Sequence, residues 1–397
     1  MKIADKISQR SHQVQWSGIR VIFALAAQVP DVINLGIGQP DFDTPEFIRE
    51  AAKKALDDGY TRYPPATGFT DLREAITEKL KRENSITADP DSEIFVSIGA
   101  MQGVFNSVLN LVNPGEEVIV IDPGYDYYSQ IGLFSGVPVP IPVFEENHFQ
   151  VEPDRIRRAI TPRTKLIMLN SPANPTGAVL ERETLTEIAH IAQQNDIMVV
   201  SDEPYEKLVF DGRKHVSIAS LEGMKELTVS LFTLSKTYAM TGWRIGYVVA
   251  HQRIIAEMEK LMEHMVSGVP AFVQRAALAA ISAPQDCIQD MLREYDKRRL
   301  VIYEGLNEID GISCILPAGT FYAFPNISSF EMTSWDFAKY LLQECKVATI
   351  PGSIFGNHGE GYIRISFAAD ALRLEEALSR IKKGTSSLRR GQPLPKS

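Results

Sequence analysis

The sequence predicts an α/β fold: a mostly parallel sheet between helices, joined to a second, smaller α/β unit. Three observations predict it. Short, continuously apolar runs alternate with stretches of helical period through the middle of the chain. Those runs lack the in-out alternation of a half-wet sheet, so they read as strands buried on both faces, the pattern of parallel strands covered by helices. A long, charged helical stretch over 286–307 then separates this region from a further set of short strands.

Taken in order, the first strand of the large unit is 94–98. Phe105, Val108, Leu109 and Val112 then recur at helical spacing, and Asn113-Pro114-Gly115 stops that helix. The next strand, 118–121, ends at Asp122-Pro123-Gly124. Further strands are expected at 166–169, 197–200, 229–234 and 245–249, with helices over about 182–194 and 251–265. After the long helix, strands are expected near 313–316, 321–324, 347–350 and 362–367. The tail from about 385, with Arg389, Arg390 and two prolines, reads as frayed.

Bulk properties narrow the function. A chain of 397 residues, 44% hydrophobic and 23% charged, can build two cores. A net charge of −9 gives no electrostatic case for a nucleic-acid surface. No run has the apolar length of a membrane span, and the first ten residues lack the apolar core of a secretory signal. Cys287, Cys314 and Cys345 form no CxxC, and their odd number argues against a disulfide framework, so a reducing cytoplasm is expected. The histidines show no metal-binding spacing, and no metal is expected.

The chemistry centres on Lys236, in Thr233-Leu234-Ser235-Lys236-Thr237, with Arg244 eight residues on. A lysine at the end of a buried strand, beside a cation, is biased toward the neutral amine that condenses with an aldehyde. The surrounding hydroxyls and guanidinium suit a phosphate. Together they point to pyridoxal phosphate. Three segments converge on this reading, each with a plain alternative. Ser171-Pro172-Ala173-Asn174-Pro175-Thr176-Gly177 follows a strand and is also ordinary turn chemistry. Asp202-Glu203-Pro204-Tyr205 ends a strand; its carboxylate can keep a pyridine nitrogen protonated, or can be a helix cap or a surface acid. Arg364 sits inside the strand run Tyr362-Ile363-Arg364-Ile365-Ser366-Phe367 and needs an anion, either a substrate carboxylate or an internal acid. Gly99-Ala100-Met101 opens a helix whose backbone N–H groups can bind phosphate, or is a simple strand-to-helix turn. Gly36-Ile37-Gly38 lacks the third glycine and the helix of a dinucleotide site.

In this order, Asn-Pro-x-Gly, Asp-x-x-Tyr, Ser-Lys, Arg and a late Arg, the sequence closely resembles the class I/II, fold-type I pyridoxal-phosphate aminotransferases, in particular the branch with aspartate and aromatic aminotransferases. The resemblance runs over about 32–380 and includes Leu35-Gly36-Ile37-Gly38-Gln39-Pro40-Asp41-Phe42 and Tyr63-Pro64-Pro65-Ala66-Thr67-Gly68. It implies a large domain over 48–285 with a seven-stranded sheet, a small domain over 286–397, and an N-terminal segment, 1–47, joining the small one. It implies a phosphate cup of Gly99, Ala100, Met101, Thr233, Ser235 and Arg244. Tyr63 would reach the cofactor of a neighbouring subunit in a homodimer. Tyr125 would stack on the ring, Asp202 would face its nitrogen, and Asn174 and Tyr205 its phenolic oxygen. Lys236 would be anchor and base, with Asp202 and Tyr205 as its catalytic partners. Arg364 would hold the substrate α-carboxylate, assisted near Gly38 and Asn174. The implied reaction moves an amino group from an L-amino acid to a 2-oxo acid such as 2-oxoglutarate by a ping-pong route. A β-lyase or synthase on the same scaffold, and a non-enzymatic regulator module, are the alternatives. A distal substrate carboxylate would need a second cation, for which Arg20, Lys53 and Arg62 are merely available. Ile19, Val21, Ile22 and Phe23 offer either an apolar wall or a core helix.

Overall fold

The computed structural model describes residues 6–8, 11–12, 16–386 and 388. Its strands are β1 (Ile33–Asn34), β2 (Ile94–Ser97), β3 (Glu117–Asp122), β4 (Val137–Pro142), β5 (Thr164–Asn170), β6 (Met198–Asp202), β7 (Thr228–Thr233), β8 (Gly246–Val249), β9 (Tyr322–Ala323), β10 (Val347–Ala348), β11 (Ile350–Pro351) and β12 (Ile363–Ser366). Seven of them form one sheet in the order β2-β8-β7-β6-β5-β3-β4, in which only β8 runs against the rest.

The period of two in a strand explains why these runs are apolar throughout. Val118, Val120, Leu166, Met168 and Val200 point to one face, where helix Gly99–Leu111 packs Val104 and Val108 against them. Their neighbours Ile119, Ile167, Leu169 and Val199 point to the other, against Leu185, Ile188 and Ile191 of helix Arg182–Asn195. Both faces are therefore dry, as parallel strands between helices require.

β4 departs from the expected strands. Its sequence Val-Pro-Val-Pro-Ile-Pro reads as loop, because proline cannot donate to a ladder. It occurs at the sheet edge, where one side of the strand needs no partner, and pairs in parallel with β3 alone. The strand expected at 313–316 is absent: Ser313 makes only an isolated bridge to Asn326. The run expected at 347–350 is split at Thr349 between two sheets, with β10 pairing β1 and β11 pairing β12. The remaining strands end within about one or two residues of the expected limits.

β9, β11 and β12 form a three-stranded antiparallel sheet. With helices Asp286–Asn307, Ser334–Gln343 and Ala371–Thr385 it encloses a separate core that includes Tyr295, Phe337, Leu374 and Ile381. Ile33 and Leu35, on and just after β1, belong to that core. Most of the tail expected to fray lies outside the described residues. No described helix is long and apolar enough to cross a membrane.

Candidate active site

In an open parallel sheet, ligands bind beyond the carboxyl ends of the strands, where neighbouring connections diverge. Here the order turns at β3 and β5: β4 lies to one side, and β6 and β7 to the other. Tyr125 follows β3, Asn174 follows β5, Asp202 ends β6, and Lys236 follows β7. Arg244 reaches the same edge for a different reason. β8 is antiparallel, with Gly246 opposite Thr233, so the residues preceding it lie at the carboxyl ends of its neighbours. The result is a cavity of about 300 Å³.

Gly38, Ala100, Met101, Tyr125, Asn174, Asp202, Tyr205, Thr233, Ser235, Lys236, Arg244 and Arg364 all line this cavity. Gly99 lies just behind the lining. Its φ is +68°, and a side chain there would begin 2.6 Å from Arg244 Nη2, so glycine lets the helix start against the guanidinium. The N-terminal turn of Gly99–Leu111 thus meets Arg244, Ser235 and Thr233, a donor set suited to a phosphate. Ser235 N donates to the Thr233 hydroxyl at 3.2 Å, which fixes the short turn carrying Lys236.

Burial, together with Arg364 and Arg244, pulls the Lys236 amine down from 10.5 to about 7. The amine donates to the Gly38 carbonyl, which aims it across the cavity. Asp202 moves the other way. Burial, with neighbouring Glu203, pushes its carboxyl up from 3.8 to about 7 against the hydrogen bond from Tyr127. It is 6% exposed, so neither a surface acid nor a helix cap. Tyr127 donates to Oδ2 at 2.7 Å, while Oδ1 is buried without a partner among the described residues.

Arg364 is 2% exposed, and among the described residues no carboxylate pairs with it. Nη1 donates to Asn174 Oδ1 at 2.9 Å and Nη2 to the Gly36 carbonyl at 2.7 Å, while Nε has no partner among the described residues. The guanidinium stacks 4.3 Å from the Tyr322 ring centroid. The alternative of an internal acid is therefore not what the strand contains. A buried guanidinium held by neutral acceptors keeps its charge available for an incoming anion. Because Asn174 Oδ1 is taken by Arg364, its amide end is left as the donor.

Tyr63 stands apart. It is 89% exposed and outside the cavity of its own chain, so it is not a core residue. Of the possible distal cations, Lys53 pairs with Glu50 on the exposed face of helix Glu46–Asp57, and Arg20 and Arg62 are exposed; none lines the cavity. Helix Gly18–Ala26 divides the apolar residues expected to form a wall or a core. Ile19 and Phe23, four apart, face the cavity, Ile22 and Ala26 join the core, and Val21 does neither, being exposed. Tyr127, Tyr322 and Asn170 escaped the sequence reading. Asn170, one residue past an apolar run, accepts from Asn174 N at 2.8 Å and so shapes the Asn174 loop. The only signal for Tyr127 was its place two residues after Tyr125.

These groups fit pyridoxal phosphate. The unpartnered Asp202 Oδ1 is what a protonated ring nitrogen needs, Lys236 supplies the amine, and the helix start with Arg244 would take the phosphate. Among the described residues no cluster could hold a metal ion. The shifted groups also make the cofactor-free protein's stability depend on pH. Asp202 binds its proton more tightly folded than unfolded, so it lowers stability as pH rises from about 4 to about 7. For Lys236 the unfolded chain holds more protons between about 7 and 10.5, so its contribution rises with pH there. Asp202→Asn removes the first effect. From about pH 4 to about pH 8, denaturant unfolding should show the variant gaining about 2–4 kcal/mol relative to the unmutated protein. A constant difference would show that Asp202 is an ordinary acid.

Comparison with known proteins gives the family. The family Aminotransferase class I and II matches residues 30–381. The aspartate aminotransferase of Pyrococcus abyssi is 45% identical over 380 residues, covering 95% of this chain and 97% of the relative. Aromatic-amino-acid aminotransferase 2 of Thermococcus litoralis is 42% identical, covering 95% and 97%. The solved aspartate aminotransferase of Thermus thermophilus with maleate superposes with a TM-score of 0.91 at 36% identity, covering 95% of this chain and 99% of that one. A strand-edge site built around Lys236, Asp202 and Arg364, and a match over nearly the whole length, lead to one assignment: the chain belongs to the class I and II aminotransferases and is a pyridoxal-phosphate-dependent aminotransferase.

Proposed function

We propose that the enzyme takes the α-amino group from aromatic L-amino acids as well as from aspartate and passes it to a 2-oxo acid such as 2-oxoglutarate in a ping-pong reaction. The observation that carries this reading is Arg364, buried without a carboxylate among the described residues and in the same cavity as the depressed amine of Lys236. Pyridoxal phosphate, when bound, supplies an electrophilic carbon and a ring that accepts electrons. Arg364 grips the α-carboxylate shared by all donors and fixes the Cα–H bond. The Lys236 amine, near neutrality in its free form, takes and returns the Cα proton. The Asn174 amide and the Tyr205 hydroxyl would donate toward the ring oxygen; Tyr205 Oη lies 3.0 Å from Tyr322 Oη, which steadies it. Tyr125, which lines the same cavity, would cover the ring face.

The wall of Ile19, Phe23 and Tyr322 favours aromatic side chains, and among the described residues the lining cations are Lys236, Arg244 and Arg364. Single-turnover half-reactions with phenylalanine, tyrosine and aspartate test the reading. Each is expected to yield its 2-oxo acid and the amine form of the cofactor. Release of ammonia and pyruvate instead would indicate elimination, and turnover of aspartate alone would remove the aromatic assignment.

The same reading makes the enzyme a cytoplasmic homodimer with composite sites. The exposed Tyr63, and the three free cysteines, support it. Sedimentation should show a dimer at assay concentrations, and Tyr63→Phe should weaken cofactor retention. A fully active monomer would rule the composite site out. Residues 48–285 would be the cofactor domain and 286–397 the small domain, with 1–47 tied to the latter through the β1–β10 pairing.

A further inference from the structure

Tyr127 is 3% exposed and has a specific task in its surroundings. Its hydroxyl donates to Asp202 Oδ2 at 2.7 Å, and its ring meets Tyr125 edge-on, with centroids 5.3 Å apart. The backbone of Asp202 is held separately: its carbonyl accepts from Asn170 Nδ2 at 3.0 Å and from Ser171 N at 3.3 Å. The adjacent Glu203 offers Asp202 no donor. Its oxygens are taken by Ser201 at 2.8 Å, Ser217 at 2.5 Å and His215 at 2.6 Å. Among the described residues, Tyr127 is thus the side-chain donor to the Asp202 carboxyl group. One hydrogen bond to Oδ2 sets the rotation of the carboxyl group and decides which oxygen stays open. A phenol O–H also favours the anion over the acid, against the burial that acts in the other direction.

We propose that Tyr127 is a positioning residue that keeps the Asp202 carboxylate anionic and turned with Oδ1 toward the cavity, and so strengthens the binding of a protonated pyridine ring. This rests on the reading that Asp202 faces the ring nitrogen. A hydrogen bond to a charged group corresponds to about 10- to 100-fold in an equilibrium.

The test is equilibrium binding to cofactor-free protein of two ligands, pyridoxal phosphate and its analogue with the ring nitrogen replaced by C–H. Both keep the aldehyde and the phosphate, so Lys236 and the phosphate cup act equally on each, and the ratio of affinities isolates the ring nitrogen. The unmutated protein should prefer the nitrogen-bearing ligand. Tyr127→Phe keeps the ring packing and should cut that preference at least about tenfold, leaving the affinity for the analogue unchanged. In an Asp202→Asn background the same substitution should alter the preference no further. A preference that survives Tyr127→Phe, or an equal weakening of both ligands, would overturn the proposal and leave Tyr127 a packing residue. If the unmutated protein shows no preference, the assignment of Asp202 itself fails, and the proposal fails with it.

Discussion

Replacing Lys236 with alanine should lower transamination by about 10³-fold or more, with the protein still folded. On the proposed reading, one amine does two jobs. Its nucleophilicity comes from burial and from the cations Arg364 and Arg244, which hold it near neutrality instead of fully protonated. The hydrogen bond to the Gly38 carbonyl aims the same atom across the cavity, where it can exchange a proton with Cα. Alanine removes the nucleophile and the base together, and no other described lysine lines the cavity to replace either. Thermal unfolding of the variant should show no loss of stability, because an amine whose charge is disfavoured by its site contributes no favourable charge to the fold. Borohydride reduction of the loaded enzyme, followed by peptide mapping, gives an independent check. Label on a peptide without Lys236 would move the centre of the site elsewhere.

The second large effect concerns Arg364. Arg364→Lys keeps the positive charge but loses the planar fork that reaches Asn174 Oδ1 and the Gly36 carbonyl while presenting its remaining N–H groups. We expect kcat/KM to fall by about 2–4 kcal/mol of transition-state stabilisation, for aromatic donors and aspartate alike, because all share the α-carboxylate. A loss confined to aspartate would place the distal carboxylate at Arg364. An unchanged profile would make it a structural arginine, although the absence of a described acid partner argues against that.

Much of the architecture was legible because local chemistry and burial agree. Runs such as Leu166 to Leu169 are apolar at every position, and the structure buries both faces of that strand. Where the two signals conflict, reading the chain alone fails. Three prolines hide β4, which the sheet tolerates because an edge strand needs only one partner. Thr349 interrupts what looks like one strand, because its two halves bind different sheets.

At the site, Lys236, Asp202, Asn174, Tyr205, Arg244 and Arg364, expected from the residues and from the family resemblance, all line one cavity, because strand ends announce where such side chains stand. What the order could not supply was the pairing between segments far apart in the chain. That Arg364 meets Asn174 and not an acid, and that Tyr322 lies beneath its guanidinium, follow from contacts over some 190 and 42 positions. The bond from Tyr127 to Asp202 likewise joins the ends of β3 and β6, which are not neighbours even in the sheet. The sequence by itself determined which chemistry is present, because chemistry belongs to single side chains and their immediate neighbours. Only the tertiary structure decided which groups remain unpaired, because satisfaction of a buried charge or lone pair depends on everything the fold brings within about 3 Å of it.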